Sequence, residues 1–237
     1  DPASGRLHGY NGSGRSPMRL SRAWFDAQGI TSIPAFGPLP VTVPGAVDGW
    51  FALHERFGRL PMAALLQPSI DYARRGHPVP ETIAWHWERN ITRFREFPGF
   101  LEQFSIDGRA PRRGEFWRNE SLARTYERIA AEGRAGFYEG EIPRIVEAHM
   151  KAQGGFLTAA DFAAHRGEWV EPISIDYRGV QVWQLPPNGQ GLATLQMLEV
   201  LEGFTFAADE FGSARHLHLL TEAKKLAFAD RARFYAD

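Results

Sequence analysis

The sequence has 237 residues, of which 43% are apolar, and its 27 basic side chains are balanced by 28 acidic ones. This balance excludes attraction of nucleic acid or anionic lipid by net charge, and the apolar share suffices for a substantial core. The absence of cysteine excludes disulfides, thiolate nucleophiles and cysteine metal sites. No apolar run reaches the roughly 18 residues of a membrane span. Because neither an initiator Met nor a signal peptide is present, the true start is predicted to be missing.

The first two thirds of the chain is predicted to be a short strand followed by a series of helices. Leu7 to Tyr10 is the strand, and the glycine-rich turn Asn11 to Gly14 follows it. Val43-Pro44-Gly45 opens the first long helix, because proline is favoured at the first helical position. Apolar stripes at helical spacing are Val47, Trp50, Phe51, Leu53 and Phe57; Leu65, Leu66, Ile70 and Ala73; Leu122, Tyr126 and Ile129; and Ile142, Ile145, Val146 and Met150. Their predicted stops are Gly58, Gly76, Gly133 and Gly154-Gly155.

Other segments in this part of the chain carry different signals. Pro68 lies inside the second stripe and is expected to kink or restart its helix. Glu81 to Arg93 is a further candidate helix, whereas Phe94 to Arg113 has no period and is predicted to be an extended surface segment. Thr158-Ala159-Ala160-Asp161 resembles a capping box, with Asp in place of the usual Glu or Gln, and predicts the start of a short helix.

The pattern changes to strand alternation at Glu171. Apolar and polar residues alternate from Ile173 to Tyr177, Arg178-Gly179 is a turn, and Val180 to Trp183 forms the returning strand. This pattern is typical of a β-hairpin.

Two helices are predicted after the hairpin. Pro186 to Gly191 leads into a strongly apolar helix, Leu192 to Glu202, which ends at Gly203. Ser213 begins the last helix. Its apolar face consists of Leu219, Leu220, Ala223, Leu226 and Ala227.

The order of these elements predicts a mixed α/β layer fold in which part of the sheet is absent. No internal repeat or low-complexity segment occurs. We therefore expect residues 1–237 to be a single partial domain that is truncated at both ends.

Several familiar catalytic and metal-binding patterns are excluded by spacing. His216 and His218 lie two residues apart on a predicted helix, so they diverge and do not form an i, i+4 metal-binding pair. Gly12-Ser13-Gly14 lacks the flanking residues of a nucleophile elbow, and no phosphate-binding loop occurs. The sequence predicts no metal site and implies no cofactor.

Three carboxylates offer both a functional and a structural interpretation. Glu168, Glu171 and Asp176 have the residue types for paired acid–base work, but they lie at the predicted hairpin beside Arg166 and Arg178. Solvated strand-edge charges are the favoured interpretation.

Trp85, Trp87 and Phe94 suit either a platform for ligand stacking or ordinary packing. Packing is favoured, because aromatic residues dominate cores as well as binding sites.

Arg15 is the candidate ligand-binding residue. It lies in Gly12-Ser13-Gly14-Arg15-Ser16-Pro17, where two glycines allow backbone conformations that other residues resist and Pro17 stiffens the backbone after Arg15. A guanidinium presented in this way suits bidentate recognition of a carboxylate. From the residues alone, a structural arginine that bonds to nearby carbonyl groups is the favoured interpretation.

Segments along nearly the whole chain resemble the γ-glutamyltranspeptidase family. In order, they are VPGAVDGW (43–50), FGRL (57–60), LQPSI (66–70) with ARRG (73–76), GFYEG (136–140), LTAADF (157–162), PPNGQG (186–191) and EAKKLAFADR (222–231). Several ordered matches of this kind are far more specific than a single motif. They match the family's large-subunit region.

The resemblance implies the helix-rich large-subunit portion of an N-terminal-nucleophile (Ntn) hydrolase with an αββα sandwich. Members of this family are precursors that cut themselves and expose a Thr at the start of a small subunit. The Thr hydroxyl is the nucleophile and its free α-amine can serve as base. The matching motif lies beyond Asp237, so no catalytic residue is assigned and this chain alone is expected to be inactive. Its partner is the small-subunit portion of the same precursor, whose strands complete the sheets, so the chain alone is also expected to be incompletely packed.

Arg15 is placed similarly to the family's arginine that clamps the donor carboxylate. The acidic neighbour of the transpeptidase motif is absent, and Gly-Gln-Gly replaces the usual Ser-Ser-Gly-Gly in the segment 186–191. Both departures resemble the amidohydrolase and acylase branch of the family, such as oxamate amidohydrolases. The resemblance thus implies that Arg15 is a substrate-binding residue.

The leading hypothesis is an Ntn amidohydrolase or acyltransferase that acts on a small amide bearing a carboxylate. One alternative is a true γ-glutamyltranspeptidase acting on glutathione, and another is a non-catalytic binding module. A Thr after a cleavable junction beyond residue 237 supports an enzyme, and its absence supports the module. We expect no nucleic acid among the partners and no membrane span in the chain.

Overall fold

The structure is a computed structural model that describes residues 1–235, so Ala236 and Asp237, which end the predicted domain, lie outside the described residues. The chain divides into two compact units. The central unit is formed by residues 14–165, and the terminal unit by residues 1–13 with the described residues from 166 onward. A single partial domain over residues 1–237 stays a prediction.

Both units combine helices with short antiparallel strands. The helices are α1 (Arg22–Ala27), α2 (Ala46–Phe57), α3 (Met62–Arg75), α4 (Glu81–Phe94), α5 (Phe100–Phe104), α6 (Glu120–Glu132), α7 (Ala135–Tyr138), α8 (Glu141–Ala152), α9 (Ala159–Ala164), α10 (Gly191–Glu202) and α11 (Ala214–Phe234). The strands are β1 (Gly9–Asn11), β2 (His77–Pro78), β3 (Phe116–Trp117), β4 (Glu168–Val170), β5 (Ile173–Tyr177) and β6 (Val180–Gln184). The pairs β1–β4, β2–β3 and β5–β6 are each two-stranded and antiparallel.

The core of the central unit gathers side chains from distant parts of the chain. Helix α3 packs against α6, and α7 packs against α6, α8 and α9. Tyr138 and Phe162 are fully buried. The buried cluster consists of Val43, Val47, Leu66, Ile70, Ile129, Tyr138, Met150, Leu157 and Phe162. Four of the segments that carry the family resemblance therefore meet in one core.

The predicted helices of the central unit are confirmed, because their signals are local. Helix α2 begins directly after its N-cap Gly45 and ends at Gly58, so Pro44 precedes the helix and is not its first residue as predicted. Gly133 ends α6 with a φ of 68°, a left-handed conformation that glycine adopts without steric cost. Thr158 and Asp161 form both hydrogen bonds of the predicted capping box.

Helix α3 continues through Pro68, so the restart that was one of the two predicted effects of this proline does not occur, and the kink stays a prediction. Pro68 and Ala64 are both exposed, so water can bond to the Ala64 carbonyl that lacks a partner N–H. The segment 94–113 is not wholly extended, because α5 begins after Gly99, whose φ is 81°. A five-residue helix is too short to show a period in the sequence.

The terminal unit contains the predicted hairpin and the last two helices. Strands β5 and β6 meet at Arg178-Gly179, whose φ angles of 54° and 78° suit a tight hairpin turn. Helix α10 packs against α11 and against both hairpin strands. The predicted strand Leu7 to Tyr10 is observed as β1, which begins two residues later and ends one residue later than predicted, and it pairs with β4.

Every strand among residues 1–235 pairs with one other strand only, so each keeps an edge without a strand partner in this part of the chain. Several large apolar side chains are also exposed, among them Trp50, Leu53, Leu217, Leu226 and Phe234. These features support the expectation of incomplete packing, which stays a prediction. No helix in the described residues is long and apolar enough to cross a membrane.

Candidate functional site

Arg15 is exposed and lies on a loop of the central unit, residues 14–18, here called the Arg15 loop, in which Pro17 is fully buried. Within residues 1–235 its guanidinium makes no hydrogen bond, ion pair or ring contact. The carbonyl partners expected of a structural arginine are therefore absent from the described residues. The role of Arg15 in substrate binding stays a prediction.

The backbone on either side of Arg15 is tightly held. The Val43 N–H donates to the Arg15 carbonyl at 3.0 Å. Gly14 approaches Val43 so closely that a Cβ at residue 14 would lie 1.6 Å from the Val43 carbonyl oxygen. At the far end of the loop, the Met18 N–H donates to the Asp161 carboxylate at 2.8 Å. The loop thus has a fixed backbone and a side chain without a described partner.

Asp161 joins the Arg15 loop to helix α9. Its side chain is nearly fully buried and accepts from the Thr158 hydroxyl at 2.6 Å and from the Thr158 N–H at 2.8 Å. The same carboxylate accepts from Met18 through its other oxygen. The Asp that replaces the usual Glu or Gln of a capping box therefore has a second structural role, which the local motif did not predict.

A partly buried ion pair joins Asp48, in the first turn of α2, to Arg134. The Arg134 Nε donates to the Asp48 Oδ1 at 2.5 Å, and Asp48 is only 5% exposed. A second guanidinium nitrogen of Arg134 donates to the His165 carbonyl at 2.5 Å. Removing one partner of such a pair leaves an uncompensated buried charge, which typically costs about 3–5 kcal/mol.

Tyr138 connects this ion pair to the segment that holds Arg15. Its hydroxyl donates to the Pro44 carbonyl at 2.7 Å and accepts from the Asp48 N–H at 3.0 Å. The Arg134 guanidinium lies 4.4 Å from the centre of the Tyr138 ring. Burial raises the pKa of Tyr138 to about 12, so its hydroxyl keeps the proton that it donates to Pro44 in mildly alkaline solution as well as at neutral pH.

The second glycine-rich segment, PPNGQG, contacts the start of the chain within the terminal unit. The Asn188 side-chain oxygen accepts from the Asn11 amide at 3.2 Å and from the Ser13 hydroxyl at 3.3 Å. The Ser13 N–H also donates to the Asn11 side chain at 3.1 Å. The sequence marked both segments but gave no signal that they touch, because 175 residues separate Ser13 from Asn188.

Trp85, Trp87 and Phe94, the aromatic residues singled out in the sequence, have different surroundings in the structure. Trp87 donates its indole N–H to the Phe104 carbonyl at 2.8 Å, and Phe94 packs among other phenylalanine rings. Trp85 is half exposed, with the Arg89 guanidinium over its ring, and lines a groove of about 530 Å³. Packing is therefore the role of two of the three residues.

Of the remaining polar candidates, His216 and Asp176 have local structural roles. His216, on α11, accepts from the N–H of Gly212, which precedes this helix, at 3.1 Å. His218 lies on the same helix. Asp176 accepts from the Gly179 N–H at 3.0 Å and thereby stabilises the hairpin turn. Glu168 lies on β4 opposite Asn11. Within residues 1–235, no group of three or more potential metal ligands was found.

Comparison with known proteins identifies close relatives. The family profile described as Gamma-glutamyltranspeptidase matches residues 1–237. The chain is 41% identical over 229 residues to the glutathione hydrolase-like YwrD proenzyme of Bacillus subtilis, covering 96% of this chain and 43% of that protein. It is 34% identical over 216 residues to the oxamate amidohydrolase proenzyme of Klebsiella pneumoniae, covering 88% of this chain and 40% of that protein. The chain thus spans less than half the length of these relatives.

Solved structures show the same similarity in three dimensions. The cephalosporin acylase from Bacillus halodurans superposes with a TM-score of 0.91 and 42% identity, over 98% of this chain and 44% of that one. The γ-glutamyltranspeptidase of Helicobacter pylori gives a TM-score of 0.90 and 27% identity, over 99% of this chain and 69% of that one. The predicted α/β class of an Ntn-hydrolase fold is confirmed.

We predict that Gly14→Ala destabilises the full-length protein, whereas Gly189→Ala in the other glycine-rich loop does not. A methyl group at residue 14 meets the Val43 carbonyl, while a methyl group at residue 189 meets nothing within 4 Å. The backbone must move in the first variant, which should cost about 1–3 kcal/mol, and the second should remain within about 0.5 kcal/mol of wild type. Thermal unfolding measures both, and equal melting temperatures for the two variants would contradict the close approach of Gly14 to Val43.

Proposed function

The chain belongs to the γ-glutamyltranspeptidase family, and from this premise we propose that it is the large-subunit part of a self-cleaving amidohydrolase or acyltransferase. The relatives named above are proenzymes, and each is more than twice as long as the segment that this chain matches. We therefore propose that its partner is the remaining portion of the same precursor. That portion would supply the nucleophile.

The substrate that we propose is a small amide bearing a carboxylate. The observation that carries this proposal is Arg15, an exposed guanidinium without a partner in residues 1–235, on a loop whose backbone is held at both ends. Because the loop is already ordered, substrate binding does not incur the entropy cost of ordering it. A free guanidinium can form two parallel hydrogen bonds to a carboxylate. Oxamate, the substrate in the name of one relative, is an amide of this type.

In the proposed reaction, this chain binds and orients the substrate and does not make or break bonds. The Thr hydroxyl of the small-subunit portion attacks the amide carbonyl and its proton passes to the Thr α-amine. Hydrogen-bond donors stabilise the oxyanion of the tetrahedral intermediate. The C–N bond then breaks, the leaving amine takes the proton, and water or an acceptor amine releases the acyl group from the Thr.

A γ-glutamyltranspeptidase acting on glutathione is the second candidate. It is favoured by the relatives named glutathione hydrolase, such as that of Pseudomonas aeruginosa, which is 34% identical over 211 residues. Both candidates need a carboxylate-binding residue. They differ in the size of the acyl group, so the ratio of kcat/KM for oxamate to that for glutathione distinguishes them.

We predict that the isolated 237-residue chain cleaves neither oxamate nor γ-glutamyl-p-nitroanilide. The physical reason is that no residue in the chain matches the family's nucleophilic Thr. The purified chain and the full-length precursor are assayed side by side, with the precursor as the positive control. Turnover by the isolated chain would contradict the proposed division of roles.

We predict that Arg15→Ala in the full-length enzyme lowers kcat/KM for a carboxylate substrate by about 30-fold or more, since truncating one partner of a partly desolvated charge pair costs roughly 2–5 kcal/mol. Arg15→Lys should fall between this variant and wild type, because it keeps the charge but loses the fork geometry. The neutral amide or ester analogue should be cleaved by all three enzymes at similar rates.

Arg19→Ala is the matched control, because Arg19 is also exposed and lies four residues further along the chain. It removes one positive charge near the loop without removing the proposed contact. An equal loss of kcat/KM for both substrates in Arg15→Ala, or a fall in melting temperature alone, would count against the substrate role of Arg15.

A further inference from the structure

The first turn of α2 is capped by a residue from a distant part of the chain. Gly45 is the N-cap residue and has no side chain to bond the free N–H groups of that turn. Instead, the Asp48 N–H donates to the Tyr138 hydroxyl, 90 residues away in the sequence. The Tyr138 hydroxyl therefore accepts the hydrogen bond that a Ser, Thr or Asp side chain at the N-cap accepts in other helices.

The same hydroxyl also fixes the backbone that precedes the helix. It donates to the Pro44 carbonyl at 2.7 Å. The neighbouring Val43 donates its N–H to the Arg15 carbonyl at 3.0 Å. One oxygen atom thus fixes two points of the segment 43–48, and that segment holds the backbone of Arg15.

This arrangement matters for Arg15 because its side chain has no contact of its own among residues 1–235. The guanidinium position depends on where the backbone of the Arg15 loop is held. The loop has two anchors, namely Val43 at Arg15 itself and Asp161 at Met18. Only the first of these depends on Tyr138.

We propose that Tyr138 is a positioning residue for substrate binding, whose hydroxyl sets the place of the Arg15 guanidinium through Pro44 and Val43. This inference rests on the proposed function, in which Arg15 binds the substrate carboxylate. Tyr138 itself is fully buried in the core and need not touch the substrate.

The test is Tyr138→Phe in the full-length, processed enzyme, because this change removes one oxygen atom and keeps the ring. We expect KM for a carboxylate substrate to rise about 5-fold or more with kcat within about twofold of wild type, since the loss affects binding and leaves the chemistry intact. The neutral analogue should keep its KM.

Phe162→Leu is the matched control for a general loss of stability. Phe162 is also fully buried, and its ring lies 6.3 Å from that of Tyr138, but it makes no hydrogen bond to the 43–48 segment. It should lower the melting temperature without changing the ratio of the two KM values. An equal change of this ratio in both variants would overturn the inference.

Amide hydrogen exchange provides a second measurement that does not depend on activity. In Tyr138→Phe the Val43 N–H should exchange at least about 10-fold faster than in wild type, whereas the Met18 N–H, held by Asp161, should change little. In the wild-type protein, the Val43 and Asp48 N–H groups should have similar protection factors, because the hydroxyl that accepts from the Asp48 N–H also holds the Pro44 carbonyl next to Val43. A protection factor far lower at Val43 than at Asp48 would overturn the inference even if the variant fails to fold.

The outcomes separate the two proposals. A wild-type enzyme with no preference for the carboxylate substrate and no response to Arg15→Ala contradicts the proposed function. A wild-type enzyme with that preference, unchanged in Tyr138→Phe, contradicts only the positioning role.

Discussion

The hydrogen bonds of the Tyr138 hydroxyl are the constraint on which the candidate site depends. They join the Pro44 carbonyl to the first turn of α2, where Asp48 also forms an ion pair with Arg134. Because a charge pair of this kind is costly to desolvate, we infer that it contributes a unique arrangement more than added stability. Here that arrangement fixes the segment against which Gly14 and Arg15 lie.

Much of the fold was predictable because its signals are local. Gly58 and Gly133 end helices, Thr158 and Asp161 form a capping box, and Arg178-Gly179 forms a tight turn, each for reasons contained in a few residues. The predictions failed where a short element depends on its surroundings. Helix α5 has only five residues, and α3 continues through Pro68, where that side of the helix faces solvent.

The candidate site was predictable only in part. The glycines and the proline around Arg15 marked the loop, but nothing local indicated that Val43 and Asp161 hold it, because those contacts span about 30 and about 140 residues. Tyr138 belongs to the GFYEG segment, which only the family resemblance had singled out. The structure gives that segment a physical role, because the Tyr138 hydroxyl caps α2, whose own N-cap residue is glycine.

The central claim is that this chain binds the substrate while another part of the precursor carries the nucleophile. The most direct test is to treat the full-length enzyme with an electrophilic analogue of a carboxylate-bearing amide and to locate the covalent adduct by peptide mass spectrometry. The account predicts an adduct on a Thr at a newly formed N-terminus outside residues 1–237, and slower labelling in Arg15→Ala. An adduct on any residue from 1 to 237 would contradict it.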